Sequence, residues 1–274
     1  MIEFKEGIAE ITLEQLQNTI SLGEFDGRMP KSVPIIHHEL LAELQQIATK
    51  GGLNQLMPIS IKEKYCKKRK DAPNNNPEHF MVNRMAGKIL FPEKFLVGDD
   101  TLNAGIAYTY VYDGSQRGIQ IAYGMNVEAC DNLTVWGRYS FSTTGSSSVP
   151  FEKGMELLHK WVDDRKAVND GYVAIIEKLR LVEFDANAID TLVGDLFTKA
   201  VLKNANENVI APLNQSEVAE MVRKGRMNHQ NEIITGWDVL NWGTLVLRPT
   251  SSDMTDYVGG NVAFADHVIN FCQV

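Results

Sequence analysis

GIAYTYVYDGSQRGIQIAYG, residues 105–124, is the stretch on which the fold turns. Ile106, Tyr108, Tyr110 and Tyr112 alternate with Ala107, Thr109 and Val111. An apolar or aromatic residue at every second position puts one set of side chains on one face of a β-strand. Asp113 to Gly118 has the composition of a hairpin loop, and Ile119, Ile121 and Tyr123 then resume the alternation. Two antiparallel strands are therefore expected here. A third is expected beyond them, through Asn126 to Cys130 or through Leu133 to Trp136.

Downstream the period changes from two to that of a helix. Pro150 closes a polar loop, FSTTGSSSV from Phe141. Phe151, Met155, Leu158, Trp161 and Val162 then mark one helical face, and Val168, Tyr172, Ile175, Ile176 and Leu179 another, on the same long helix or a second one. Asp185, Ser216 and Thr235 stand where N-caps of three further helices belong. Val262 to Phe271 is a last amphipathic segment. Upstream, Thr12 to Gln15 has capping-box spacing. Leu40, Leu41, Leu44 and Ile47 predict a helix stopped by Gly51-Gly52. The whole reads as an α+β protein, a central antiparallel β-sheet with a helical C-terminal half. Its expected division is a mixed N-terminal region with a basic loop (1–100) and the central sheet plus C-terminal helices (101–274), or one continuous domain.

Size and composition narrow the class. The 274 residues are 44% hydrophobic and 23% charged, ordinary for a globular protein able to bury its own core. The three cysteines, Cys66, Cys130 and Cys272, form no CxxC pair, which argues against a zinc site and against a disulfide framework. His37-His38-Glu39 is not an HExxH motif, and no GK[ST] follows the TTGSSS stretch. No cofactor or metal is expected. The N-terminal stretch MIEFKEGIAEITLEQL lacks the apolar run of a signal peptide, and no stretch reaches the ~18 apolar residues of a membrane span. The expected place is the cytoplasm of a host cell.

Net charge is −8, but it is unevenly spread. KEKYCKKRK, residues 62–70, holds six bases and one acid, leaving 21 bases against 34 acids in the rest of the chain. A concentrated basic patch can hold phosphates while the acidic bulk limits indiscriminate binding. The competing reading is a solvated helix end or loop. The DAPNNNPEHF loop follows directly, which suggests a mobile basic arm. Tyr108, Tyr110 and Tyr112 share a strand face, and aromatics on a sheet beside basic residues are a way to hold unpaired bases. Against this stands tyrosine's preference for strands packed under helices. Arg223, Lys224 and Arg226 form a second, smaller basic cluster.

Cys130-Asp131-Asn132 is a candidate nucleophile site without a base selected by the sequence, and the better reading is a buried cysteine followed by a turn after a strand. No paired carboxylates, Ser-His-Asp order or nucleotide fingerprint stands out, so no catalytic residue is assigned. GIQIAYGMNVEACDNLTVWG (118–137), followed by PFEKGMELLHKW, resembles a segment of uncharacterised phage- and plasmid-borne proteins, a "domain of unknown function" family of bacteroidete mobile elements. The resemblance is firmest over Gly118 to Trp161 and extends more weakly to LNQSEV and TGWDVLNWGTL. It implies a mobile-element context and no particular activity. Two functional expectations result. One is a non-enzymatic single-stranded DNA binding or annealing protein, with Lys62, Lys64, Lys67, Lys68, Arg69 and Lys70 on phosphates and Tyr108, Tyr110 and Tyr112 on bases; its strand-strand-strand-helix order is similar to that of phage strand-annealing proteins. The other is a protein that inhibits a host defence system by binding a host protein through its acidic surface. Amphipathic helices and strand edges also leave homo-oligomerisation open.

Overall fold

The structure, a computed structural model, describes residues 8–11, 37–50, 60–67, 80–111, 119–127, 136–143, 148–198, 212–229, 232–246 and 257–274. It is α+β. Strands β1 (Ile8–Ile11), β2 (Ser60–Lys67), β3 (Phe80–Val97), β4 (Asp100–Val111), β5 (Ile119–Val127) and β6 (Trp136–Thr143) form one antiparallel sheet in chain order. Helix α1 (His37–Lys50) lies between β1 and β2 in sequence. After the sheet come α2 (Ser148–Asp163), α3 (Arg165–Leu181), α4 (Ala186–Thr198), α5 (Pro212–Asn228), α6 (Gly236–Val246) and α7 (Tyr257–Phe271).

The alternation read from residues 105–124 is realised as the β4–β5 pair, with Tyr110 opposite Ile119, Tyr108 opposite Ile121 and Ile106 opposite Tyr123. The sheet is larger than the three strands expected. Charge hides the alternation in β2, and β3 is 18 residues long with a proline inside it. The division at residue 100 falls at the turn of the β3–β4 hairpin, where Val97 pairs with Asp100. Gly98 has a φ of +61°, and it is the first central residue of this two-residue loop. Only glycine takes that position without strain in a hairpin turn of this hand.

Pro92 has no N–H to give the ladder. Around it the β3–β4 register slips between Leu90 and Lys94. Asn103, fully buried, repairs the gap by donating from Nδ2 to the carbonyls of Phe91 at 3.2 Å and Glu93 at 3.4 Å. The side chain thus supplies donors where the backbone cannot, which keeps the slip from stranding carbonyls in the core.

One sheet face carries Met85, Ile89, Ile106, Tyr108, Tyr110, Ile121 and Tyr123, all buried in the main core with Leu40, Leu44, Met155, Leu158 and Ile176 from the helices. The α3 contact is polar as well as apolar. Tyr172 Oη donates to the Tyr123 carbonyl at 3.0 Å, and Tyr123 Oη donates to Asn169 Oδ1 at 3.0 Å. Burial pushes the Tyr123 phenol far above its usual range, so it stays a neutral donor. Tyr172→Phe removes the buried donor to that carbonyl and should cost about 1 kcal/mol in a urea unfolding curve. The opposite face is lined by small residues, Ala86, Ala107 and Ala122, which let Val258 of α7 approach. Gln120 Oε1 on that face accepts from the Gly259 N–H at 3.2 Å.

Two of the three expected N-caps are present. Asp185 Oδ1 accepts from Ala188 N at 2.7 Å. Thr235 and Asp238 form a reciprocal box: Asp238 Oδ2 accepts from Thr235 N at 2.8 Å, and Thr235 Oγ1 accepts from Asp238 N at 3.3 Å. Ser216 is not a cap. It lies one turn inside α5, which begins at Pro212, because proline's fixed φ and missing N–H suit the first helical position. The apolar run from Phe151 to Leu179 is two helices, broken at Asp164. The Thr12–Gln15 capping box and the Cys130-Asp131-Asn132 turn lie outside the described residues.

Candidate functional site

The basic run is not all loop. Lys62, Lys64 and Lys67 belong to β2, while Lys68, Arg69 and Lys70 lie outside the described residues. β2 is held on both sides. Lys62 stands opposite Glu10 of β1 and Ala86 of β3, and Lys64 stands opposite Ile8 and Arg84. Ser60 stands opposite Lys88. Directly opposed residues share a sheet face. Lys62, Lys64, Arg84 and Lys88 therefore occupy positions on one face, the face that carries Ala86 and Ala107 rather than the tyrosines. Arg84 and Lys88 were not singled out by the sequence, because cross-strand neighbours are remote along the chain.

Lys88 is partly buried, and its Nζ donates to Asn126 Oδ1 at 2.9 Å. The Lys88–Ala107 row and the Asn103–Asn126 row are separated by Leu90, Gly105 and Gly124. Two glycines in that row leave the surface low enough for a lysine stem to cross. Lys88 thereby sets its charge over β4 and β5, while Lys62 and Lys64 sit two strands away.

The tyrosine expectation is corrected. Tyr108 and Tyr110 are 0% exposed, in the core between the sheet and the helices. They are not available to stack on bases. Strand parity put both on one face correctly, but that face is the one that packs into the main core under α2 and α3, and an aromatic ring gains more from burial there than from solvent. Tyr112 lies outside the described residues. The second basic cluster is largely occupied: Lys224 pairs with Glu220 at 2.9 Å and Arg226 with Asp190 at 2.9 Å. Burial pushes the Cys272 thiol up to about 11, which leaves it a poor nucleophile. Among the described residues no group of His, Cys, Asp or Glu could hold a metal, and no helix is long and apolar enough to cross a membrane.

A separate cleft of about 640 Å³ opens between the start of α4 and the end of α5. Its floor is Phe184, Ile189 and Ile234. Arg226 reaches from α5 to α4, bonding Asp190 and the Ala186 carbonyl at 3.4 Å. Arg223, one turn earlier, lines the same space with Asp185 and Glu232. Glu232 Oε2 also lies 2.9 Å from His229 Nδ1, and the His229 ring stacks on Trp242. Sequence reading missed this cleft because its parts come from three separate segments.

No known protein-family model matches this chain, and neither a curated protein nor a solved structure does.

Proposed function

We propose that this protein binds single-stranded DNA through its phosphates, using the basic face of β2 and β3. The observation that supports this reading is the strand register. It brings Lys62, Lys64, Arg84 and Lys88 onto one face, and Lys67 to Lys70 continue the same basic run in sequence. Glu10, opposite Lys62, offsets one of these charges. Contact is to the backbone and not to bases, because Tyr108 and Tyr110 are buried. Binding is then sequence-independent and driven by counterion release. The acidic remainder of the chain repels further nucleic acid and confines it to this face. Such an activity suits the DNA transactions of a mobile element, the setting that the sequence resemblance implies.

The test is fluorescence anisotropy of a labelled single-stranded oligonucleotide. With about four phosphates neutralised, affinity should fall about 50-fold between ~50 and ~200 mM salt. Lys62→Gln with Lys64→Gln should weaken binding to every sequence alike and flatten the salt dependence. Neutralising Lys67 to Lys70 should do the same, separately. No binding at low salt, or binding indifferent to both changes, overturns the reading.

A further inference from the structure

We infer that the α4–α5 cleft is a binding site for a small zwitterion with an apolar body, of the size of a dipeptide. The inference is independent of the nucleic-acid reading, because the cleft shares no residue with β2 or β3. Three properties carry it. The volume, about 640 Å³, lies in the range of sites that enclose small molecules. The floor of Phe184, Ile189 and Ile234 is packed into the core and holds its shape, and Met227, exposed at the rim, offers apolar surface. The walls carry charge of both signs.

Arg223 is the cationic wall. It is exposed, and Glu220, the acid one turn back on its own helix, is held by Lys224 at 2.9 Å. Lys224 first, and Arg223 after it, holds the Glu220 carboxyl below its usual range. The guanidinium fork of Arg223 can meet a carboxylate with two parallel N–H donors. Its neighbour Arg226 is already engaged, its Nη1 bonding Asp190 and the Ala186 carbonyl. Asp185 and Glu232 are the anionic wall. One oxygen of Asp185 caps α4 and one of Glu232 meets His229, which leaves each carboxylate a second oxygen for an ammonium. A free carboxylate ligand alone would be repelled by Asp185 and Glu232, and a free amine alone by Arg223. A molecule carrying both charges can satisfy both walls while its apolar side chain lies against Met227.

The experiment is isothermal titration calorimetry of the full chain with leucyl-leucine, its N-acetyl form, its C-terminal amide, and leucine. Leucyl-leucine should bind, and blocking either end should weaken it about tenfold, the loss of one charge-assisted contact. Arg223→Gln should weaken leucyl-leucine by a similar factor and leave the amide unaffected. Asp185→Asn, which keeps a capping oxygen, should weaken leucyl-leucine and spare the N-acetyl form. Leucine binding as tightly as the dipeptide would overturn the dipeptide size. Absence of binding by every probe, or binding insensitive to end-blocking and to Arg223→Gln, overturns the inference.

Discussion

Asp100→Ala should lower the melting temperature by about 6–12 °C, the consequence of losing about 3 kcal/mol. One carboxylate oxygen of Asp100 accepts two hydrogen bonds, from Arg180 Nη1 at 2.8 Å and from Trp237 Nε1 at 2.7 Å. Asp100 begins β4, Arg180 lies in the last turn of α3 and Trp237 in the first turn of α6. The residue therefore ties the β3–β4 turn to two helices far along the chain. Trp237 is almost wholly buried, so its N–H loses its carboxylate partner where water is scarce. Arg180 and Asp100 are both about two-thirds buried, and a pair so placed is screened less than a surface one. The same guanidinium lies over Gly98, where an added Cβ would come within 2.3 Å of Arg180 Nη2. Glycine at 98 thus serves both the turn and the clamp. Asp100→Asn keeps an oxygen able to accept from both donors and removes only the charge, and should lose about half as much. A melting temperature unchanged in Asp100→Ala would mean that this clamp contributes nothing to holding the layers together.

Gly243→Ala should destabilise by about 2 kcal/mol, while Gly171→Ala should stabilise by about 0.5–1 kcal/mol. Both glycines are inside helices, and alanine improves helix propensity at each. Their surroundings decide the sign. A Cβ on Gly243 would come within 2.1 Å of Phe264 Cε1, and Phe264 is fully buried with no room to swing aside. Helices α6 and α7 would have to move apart at their crossing. A Cβ on Gly171, exposed on α3, meets nothing within 4 Å. Equilibrium urea unfolding of the two variants measures the contrast directly. Equal and favourable shifts would show that α6 and α7 do not cross this closely.

Much of the helical half was legible because burial there follows a simple period. Leu40, Leu41, Leu44 and Ile47, and later Phe151, Met155, Leu158 and Val162, are buried as their spacing predicts. Asp185 and Thr235 cap as expected, since capping depends on residues three apart. β3 was not legible. Its apolar residues do not alternate through FPEKF, and the device that tolerates Pro92 is a side chain, Asn103, reached only through the next strand. The candidate sites divide in the same way. Lys62 and Lys64 were visible as charge, whereas Arg84 and Lys88 join them only through register. The cleft at Arg223 needed three segments to meet.

The sequence by itself determined the α+β class, the β4–β5 pair, the helical faces and the concentration of basic charge in one run, because each depends on residues within a few positions of one another. The tertiary structure alone decided what covers each sheet face. Strand alternation sorts side chains into two sets but assigns neither to the core. α2 and α3 packing on the Tyr108–Tyr110 face made it the main core and sent the tyrosines inward, while α7 covers Ala86, Ala107 and Ala122 on the other face, the one that carries the Lys62, Lys64 and Lys88 positions.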